Sequence, residues 1–333
     1  MDKEKKLNVA VAMSGGVDSS VSATLLKEAG FDVIGIFMKL NNNSSNASKR
    51  ASLVAKKLGI PFRILDLRKE FNKKVIDYFI NEYKAGRTPN PCVVCNYEIK
   101  FGLLIEKALK IGAKYIATGH YARISNDKLL KGIDKNKDQS YFLWKLSQKQ
   151  LSRVLFPVGG YKKSAVRALA KKFDLPTAET PESQEVCFIS DSTNEFLKRY
   201  IKSRPGKIVL GKKIIGGHIG LWFYTIGQRK GIGLSGGPFY VIDKDMKKNA
   251  LIVSKDKKDL LKKELIAKDV NWISNVKLPL KVEAKIRYRH KSAKAVITNK
   301  FKVIFDKPQR AITPGQSVVF YNKEELLGGG IIV

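Results

Sequence analysis

Acidic residues, cysteines and histidines are scarce in this chain. Its 333 residues include 30 Asp and Glu against 63 Lys and Arg, with three Cys and three His. Three cysteines are too few for a disulfide scaffold and suit a reducing compartment. With so few histidines, Cys92-x-x-Cys95 lacks the second half of a zinc site. No apolar run approaches the roughly 18 residues of a membrane helix, and no N-terminal stretch joins a basic start to a long apolar run. The expectation is a soluble, unexported protein of the cytoplasm with no membrane partner. The shortage of acid leaves a formal net charge of +33, which favours a polyanionic partner, nucleic acid first. A Lys-biased source composition gives the same signature.

What the chain does have begins at Ser14-Gly15-Gly16-Val17-Asp18-Ser19, set between the apolar run Val9 to Met13 and a helical pattern from Ser20 to Ala29. Adjacent glycines carry no Cβ and allow φ > 0, so successive N–H groups can converge on one anion. The following helix adds the positive end of its dipole. Ser14 and Ser19 bring hydroxyls, and Asp18 is able to hold a metal ion or position an amide. The stretch reads as a phosphate or pyrophosphate cradle. It is neither a Walker loop nor the Gly-x-Gly-x-x-Gly dinucleotide fingerprint. An ordinary strand-to-helix turn is the plain alternative on these six residues.

Strand-like runs at Asp32 to Met38 and Pro61 to Leu67 flank a helix from Ala47 to Leu58, and Lys114 to Thr118 delivers Gly119-His120 to the same edge. That alternation predicts an α/β fold with a parallel sheet, its ligand lying beyond the carboxyl ends of the strands, near Ser14 to Ser19 and Met38. A helix is expected from Lys69 to Lys84 and a hairpin over Tyr121 to Leu130, turning at Ser125-Asn126-Asp127. After Arg204-Pro205-Gly206 the texture changes to short β runs rich in glycine. The expected domains are a catalytic one over 1–203, a small β-rich one over 204–262 and a β-barrel over 263–333. In the last, Val282 to His290 and Ala295 to Phe305 alternate as strands, which puts Arg287 and Arg289 on one face. His218 and His290 read as surface or strand residues.

The segment Thr88-Pro89-Asn90-Pro91-Cys92-Val93-Val94-Cys95-Asn96 carries two prolines, which predict a loop with the next helix starting near Tyr97. Cys92-x-x-Cys95 there reads as half a zinc site, as a thioredoxin-type pair out of context, or as a reactive thiol. On the third reading Cys95 stands just before a helix N-terminus, where the dipole favours the thiolate. Inert buried cysteine is the alternative for both.

The cradle resembles the pyrophosphate loop of the ATP pyrophosphatases, among them asparagine, argininosuccinate, GMP and NAD synthetases and several tRNA thiolases. Further segments narrow the resemblance: Thr88 to Asn96 with Lys100-Phe101-Gly102, Ala117-Thr118-Gly119-His120-Tyr121-Ala122, Lys137-Asp138-Gln139-Ser140-Tyr141-Phe142-Leu143, Ser183-Gln184-Glu185-Val186-Cys187-Phe188-Ile189 and Tyr224-Thr225-Ile226-Gly227-Gln228-Arg229-Lys230-Gly231. In this order, from residue 12 to beyond residue 316, they resemble the tRNA-specific 2-thiouridylase family. The resemblance implies an adenine-nucleotide alpha-hydrolase-like N-terminal domain and an enzyme that uses ATP and Mg²⁺ to replace the oxygen on carbon 2 of the wobble uridine with sulfur.

It also implies roles by position. Ala12, Met13, Ser14, Gly15, Gly16, Val17, Asp18, Ser19, Met38 and Gly119 would bind ATP. Cys95 would be the nucleophile, Cys187 the persulfide carrier, and Asn90, Pro91 and Cys92 would meet the target base. The implied tRNA contacts are His120, Lys137, Asp138, Gln139, Arg287, Tyr288 and Gln316, and the implied sulfur donor is a cysteine desulfurase or a sulfur-relay protein. The reaction would leave a Cys95–Cys187 disulfide. Cys92 departs from the pattern, since many members have Asp there. That third thiol opens another route, with Cys92, Cys95 and Cys187 ligating a [4Fe–4S] cluster. Two readings outside the family stay open: an amide-forming synthetase, which has no use for Cys95 and Cys187, and a non-catalytic RNA-binding protein with a vestigial loop.

Overall fold

The computed structural model describes residues 8–42, 44–182 and 186–333, so Ser183, Gln184 and Glu185 of the Cys187 motif lie outside the described residues. The first part of the chain contributes strands β1 (Asn8–Ala12), β2 (Asp32–Lys39), β3 (Phe62–Asp66), β4 (Tyr115–Ala117), β5 (Ala122–Ser125), β6 (Lys128–Lys131) and β7 (Val154–Leu155). Five of them form the expected parallel sheet, in the order β3-β2-β1-β4-β7. Side chains alternate across a strand, and both faces of β1 are covered. Val9, Val11 and Met13 join the core under helices α1 (Val17–Glu28) and α2 (Ser45–Leu58), while Ala10 and Ala12 pack with Leu104, Ala108 and Ile116 on the other side.

One helical boundary differs from the sequence reading, and it matters for the cysteines. The helix does not wait for Tyr97. A continuous run over 91–110 starts at Pro91, is α-helical to Val94, π-helical across Cys95–Leu103 and α-helical again at Leu104–Lys110. Proline is well suited to a first helical position, because its missing N–H is unpaired there anyway. Only Pro89 lies outside the helix as a breaker. The preceding run over 68–84 likewise contains a π segment, Asn72–Ile76.

Four strands, β8 (Gly206–Leu210), β9 (Lys213–His218), β10 (Tyr240–Asp245) and β11 (Ala250–Ser254), make a central sheet ordered β10-β11-β8-β9. His218 is not a surface residue. It is 2% exposed, and its ring bridges the Gly220 N–H at 3.1 Å and the Asn249 carbonyl at 3.1 Å. Strands β12 (Leu261–Trp272), β13 (Leu280–Lys285), β14 (Ala293–Ile297), β15 (Lys302–Arg310), β16 (Ser317–Asn322) and β17 (Glu325–Ile332) run β12-β15-β14-β13-β16-β17 and close through β12 to β17. This is the barrel. Strand β13 ends at Lys285, so Arg287 lies in a bend, with the His290 N–H bonded to the Arg287 carbonyl, rather than on a strand face. The run Ala295 to Phe305 is likewise two strands, broken where Phe301 takes φ +54° and its N–H bonds the Thr298 carbonyl.

The β5–β6 hairpin turns at Asn126 and Asp127, both at positive φ as a tight two-residue turn demands. It belongs to the barrel's sheet: Leu130 of β6 pairs with Glu325 of β17, and Arg123 bonds Glu324 at 2.6 Å. Beside this seam Trp144 is fully buried, with its indole N–H on Ser317 Oγ at 3.0 Å. Gly329 makes room for it, since a Cβ there would lie 2.7 Å from the indole. Among the described residues no helix is long and apolar enough to cross a membrane.

Candidate active site

The loop after β1 is built to present backbone. Gly15 adopts φ +77°, and a Cβ on it would sit 2.2 Å from the Ala47 carbonyl of α2. Gly16 caps α1 with no side-chain partner for the first helical N–H groups, which leaves them for an anion. Ala12, Met13, Val17 and Ser19 are buried, so they can reach a nucleotide only through backbone or, for Ser19, through its hydroxyl. That hydroxyl ties the loop together, receiving the Ser14 N–H at 3.1 Å and donating to the Gly16 carbonyl at 3.1 Å. Gly119, arriving from β4, abuts the start of α1, where a Cβ would come within 2.7 Å of the Ser19 nitrogen. Met38 is half-buried near the end of β2, two residues past Ile36, whose carbonyl bonds the Met13 N–H.

Asp18 has partners that no motif announced. Lys163 Nζ lies 2.6 and 2.7 Å from its two carboxylate oxygens, and the Tyr121 hydroxyl donates to it at 2.7 Å. Lys163 is only 8% exposed and also faces Glu182 at 3.4 Å. Glu182 in turn pairs with Lys137 at 2.5 Å and Arg167 at 3.6 Å.

The three cysteines are free thiols in different settings: Cys92 half-buried, Cys95 buried and Cys187 exposed. Cys95 packs with Leu67, Phe71, Val75 and Ile99, and burial pushes its thiol up to about 12; Cys92 is pushed up to about 11 in the same way. Desolvation also raises Cys187. Lys100 opposes the rise at all three, and both helical thiols feel Cys187, so the sulfurs and this ammonium form one electrostatic cluster. The expectation of an easily formed Cys95 thiolate is therefore corrected. The helix starts four residues before Cys95, which leaves the residue in an apolar wall, where loss of hydration outweighs the dipole. Cys187 reaches the same sheet edge as the nucleotide loop, since its carbonyl receives the Asn41 amide at 3.4 Å, just beyond β2.

Three family models match in succession: a tRNA methyl transferase HUP domain over 7–191, a tRNA methyl transferase PRC-barrel domain over 194–255 and an aminomethyltransferase beta-barrel domain over 262–332. The chain is 51% identical to tRNA-specific 2-thiouridylase MnmA 2 of Thermoanaerobacter sp. (strain X514), covering 97% of each chain. It is 47% identical to tRNA-specific 2-thiouridylase MnmA of Clostridioides difficile (strain 630), again covering 97% of each. To the protein of that name from Syntrophomonas wolfei subsp. wolfei it is 46% identical, over 98% of this chain and 100% of the relative. The chain belongs to the tRNA-specific 2-thiouridylase family.

In this family member, most of the residues implied to contact tRNA are turned inward. His120 is buried between Phe101 and Phe156, with Nδ1 2.7 Å from Thr118 Oγ1, and burial holds its imidazole well below the ordinary pKa. Asp138 is buried and receives the Gly132 and Ser140 N–H groups, each at 3.1 Å. Gln139 receives the Tyr121 N–H at 3.0 Å, so this motif positions the tyrosine that holds Asp18. The Arg287 guanidinium donates to the Ile226 and Ala311 carbonyls at 3.0 and 3.2 Å. Tyr288 is half-buried against Phe142 at 4.5 Å, with Lys285 5.6 Å from its ring.

Among the described residues no three Cys, His, Asp or Glu side chains are grouped to hold an ion, so as placed the three thiols do not fit the implied cluster. Asp18 is engaged by Lys163, so magnesium would enter with ATP as part of the nucleotide substrate. The burial order of the thiols should show directly in their reactivity. Under iodoacetamide, peptide mass spectrometry should find Cys187 labelled first and Cys95 last, by a margin of about tenfold or more that urea abolishes. Equal native rates would contradict the buried setting of Cys95.

Proposed function

We propose that this protein thiolates carbon 2 of the wobble uridine of tRNA. The observation that carries the proposal is a backbone phosphate cradle in a chain with three free thiols, one of which, Cys187, is tied to the same sheet edge through Asn41. The full-length likeness to proteins named tRNA-specific 2-thiouridylases supports it. A methyl transfer, which the family-model descriptions suggest, has no use for either feature.

An amide-like uracil carbonyl is a poor electrophile. In the proposed sequence its oxygen attacks the α-phosphorus of ATP, pyrophosphate leaves into the Ser14–Ser19 cradle, and the base becomes an adenylate. A sulfur donor, a cysteine desulfurase or a relay protein, has meanwhile placed a second sulfur on Cys187. The terminal persulfide sulfur attacks carbon 2 and expels AMP. Cys95, deprotonated, then attacks the inner sulfur of Cys187, breaking the S–S bond; the terminal sulfur stays on the base and a Cys95–Cys187 disulfide remains, which an external thiol reductant reopens. Asn90, Pro91 and Cys92, at the head of the same helix, are the proposed contacts of the base. Residues 1–203 form the catalytic unit in this scheme, 204–262 a central unit and 263–333 an RNA-binding barrel, with the +33 charge supplying tRNA affinity in the cytoplasm.

The test incubates reduced protein with MgATP, cysteine, a cysteine desulfurase and unmodified tRNA, then digests the RNA and looks for 2-thiouridine by mass spectrometry. Its appearance, dependent on ATP, is the expected result. Absence of both 2-thiouridine and tRNA-dependent pyrophosphate release would overturn the proposal.

A further inference from the structure

Gln316 stands where the resemblance implies a tRNA contact, yet its amide nitrogen is spent inside the protein. Its Nε2 lies 2.9 Å from the Thr88 carbonyl and 3.2 Å from the Pro89 carbonyl. A carboxamide nitrogen has two hydrogens, so both are committed, and none is left for a phosphate oxygen. The carbonyls that receive them belong to the residues immediately before Asn90-Pro91-Cys92. They precede the helix, and because Pro89 and Pro91 have no N–H the nearby chain offers them few donors; the Gln316 amide supplies two.

Other contacts converge on the same segment from the barrel. The Thr88 N–H bonds the Pro314 carbonyl at 2.9 Å. Gly315, at φ +89°, lies so close that a Cβ would come within 2.9 Å of both the Thr88 nitrogen and its oxygen. Tyr141 donates to the Ser317 carbonyl at 2.9 Å, at the end of the same turn. The turn 314–317 is thus a mould for the backbone over 87–90.

We infer that Gln316 is a positioning residue, which sets the height and direction of Asn90 to Cys92 from the barrel and makes the barrel a structural part of the base-binding site. The inference rests on the proposed thiolation. Held this way, the segment can present its residues to a uridine within the tolerance that chemistry requires, where a misplacement of about 1 Å costs roughly 100-fold in rate.

The test compares wild type with Gln316→Met, Gln316→Ala and Gly315→Ala. The first two remove the donor without adding charge. The third displaces Thr88 through the backbone and takes away no side chain that RNA could touch. Three quantities are measured: tRNA Kd by filter binding, the single-turnover thiolation rate at saturating tRNA, and the thermal midpoint. The expected pattern is a rate lowered about 10- to 100-fold in all three variants, with Kd within about twofold of wild type. It should hold in every variant whose midpoint stays within about 5 °C of wild type. A Kd weakened tenfold in the Gln316 variants, with the saturated rate intact, would make Gln316 an RNA ligand and overturn the inference. Unchanged rate and Kd would overturn it too, by showing that the segment holds without the amide. A wild-type protein that never thiolates tRNA would instead remove the proposed function, a result separable from any variant pattern.

Discussion

Cys95→Ser is expected to lower 2-thiouridine formation by about 10³-fold or more, while tRNA-dependent pyrophosphate release stays within about twofold. The asymmetry follows from the scheme: adenylation uses the loop after β1, and Cys95 enters only when the persulfide is cleaved. The setting of the thiol adds a pH dependence. Burial places it up to about 12, so at neutral pH it is almost wholly protonated. Below that value each pH unit multiplies the thiolate by ten, and the release of sulfur from Cys187 should climb about tenfold per unit from pH 7 to 9 without levelling. The measurement is single-turnover thiolation with preloaded Cys187 across that range. A plateau near pH 8 would mean that substrate binding brings the thiol down, with Lys100 the nearest means of doing so. Lys100→Met should then shift the plateau upward.

Lys163→Met is expected to lower tRNA-dependent pyrophosphate release by about 100-fold and to lower the thermal midpoint by several degrees. Lys163 begins the helix Lys163–Lys172 and sends its ammonium to Asp18 in the first turn of α1. With the lysine gone, Asp18 keeps only the Tyr121 hydroxyl, and Glu182 loses one of its cations. Stranding a partner of a largely buried pair costs about 3–5 kcal/mol, and the lower end applies here because the Asp18 side chain keeps 31% exposure. The double variant Lys163→Met with Asp18→Asn should recover most of the stability and none of the activity. Recovery of both would show that the pair serves the fold alone.

Local signals and spatial ones separate cleanly in this chain. The parallel sheet was legible because apolar runs such as Val9 to Met13 repeat between helical patterns. The hairpin was legible because Asn126 and Asp127 tolerate positive φ. That the hairpin joins the barrel through a single pairing with Glu325 was not, since nothing in Leu130 names a strand almost two hundred residues away. Lys163 was invisible for a different reason: it is one cation among 63, and only burial against Asp18 distinguishes it. The cysteines stood out by type and spacing, but the expected acidity of Cys95 does not survive its burial. Two prolines look alike in sequence, and only the structure shows that Pro91 opens the helix while Pro89 stays outside, which moves Cys95 from a helix tip into an apolar wall.

The contact between Gln316 and Thr88 spans 228 residues of chain. Strand β1 pairs with β2 and β4, Gly119 abuts the start of α1 and Lys163 holds Asp18, so these partners of the cradle precede the barrel in the chain and a nascent polypeptide holds them first. The carbonyls of Thr88 and Pro89 instead receive the Gln316 amide, and they face water until the turn at 314–317 emerges and the barrel closes. Loop closure over that distance is slow. The newborn chain therefore acquires a finished cradle for pyrophosphate well before it acquires a settled seat for a base. Ordered synthesis thus separates in time two halves of one catalyst that the mature molecule uses together.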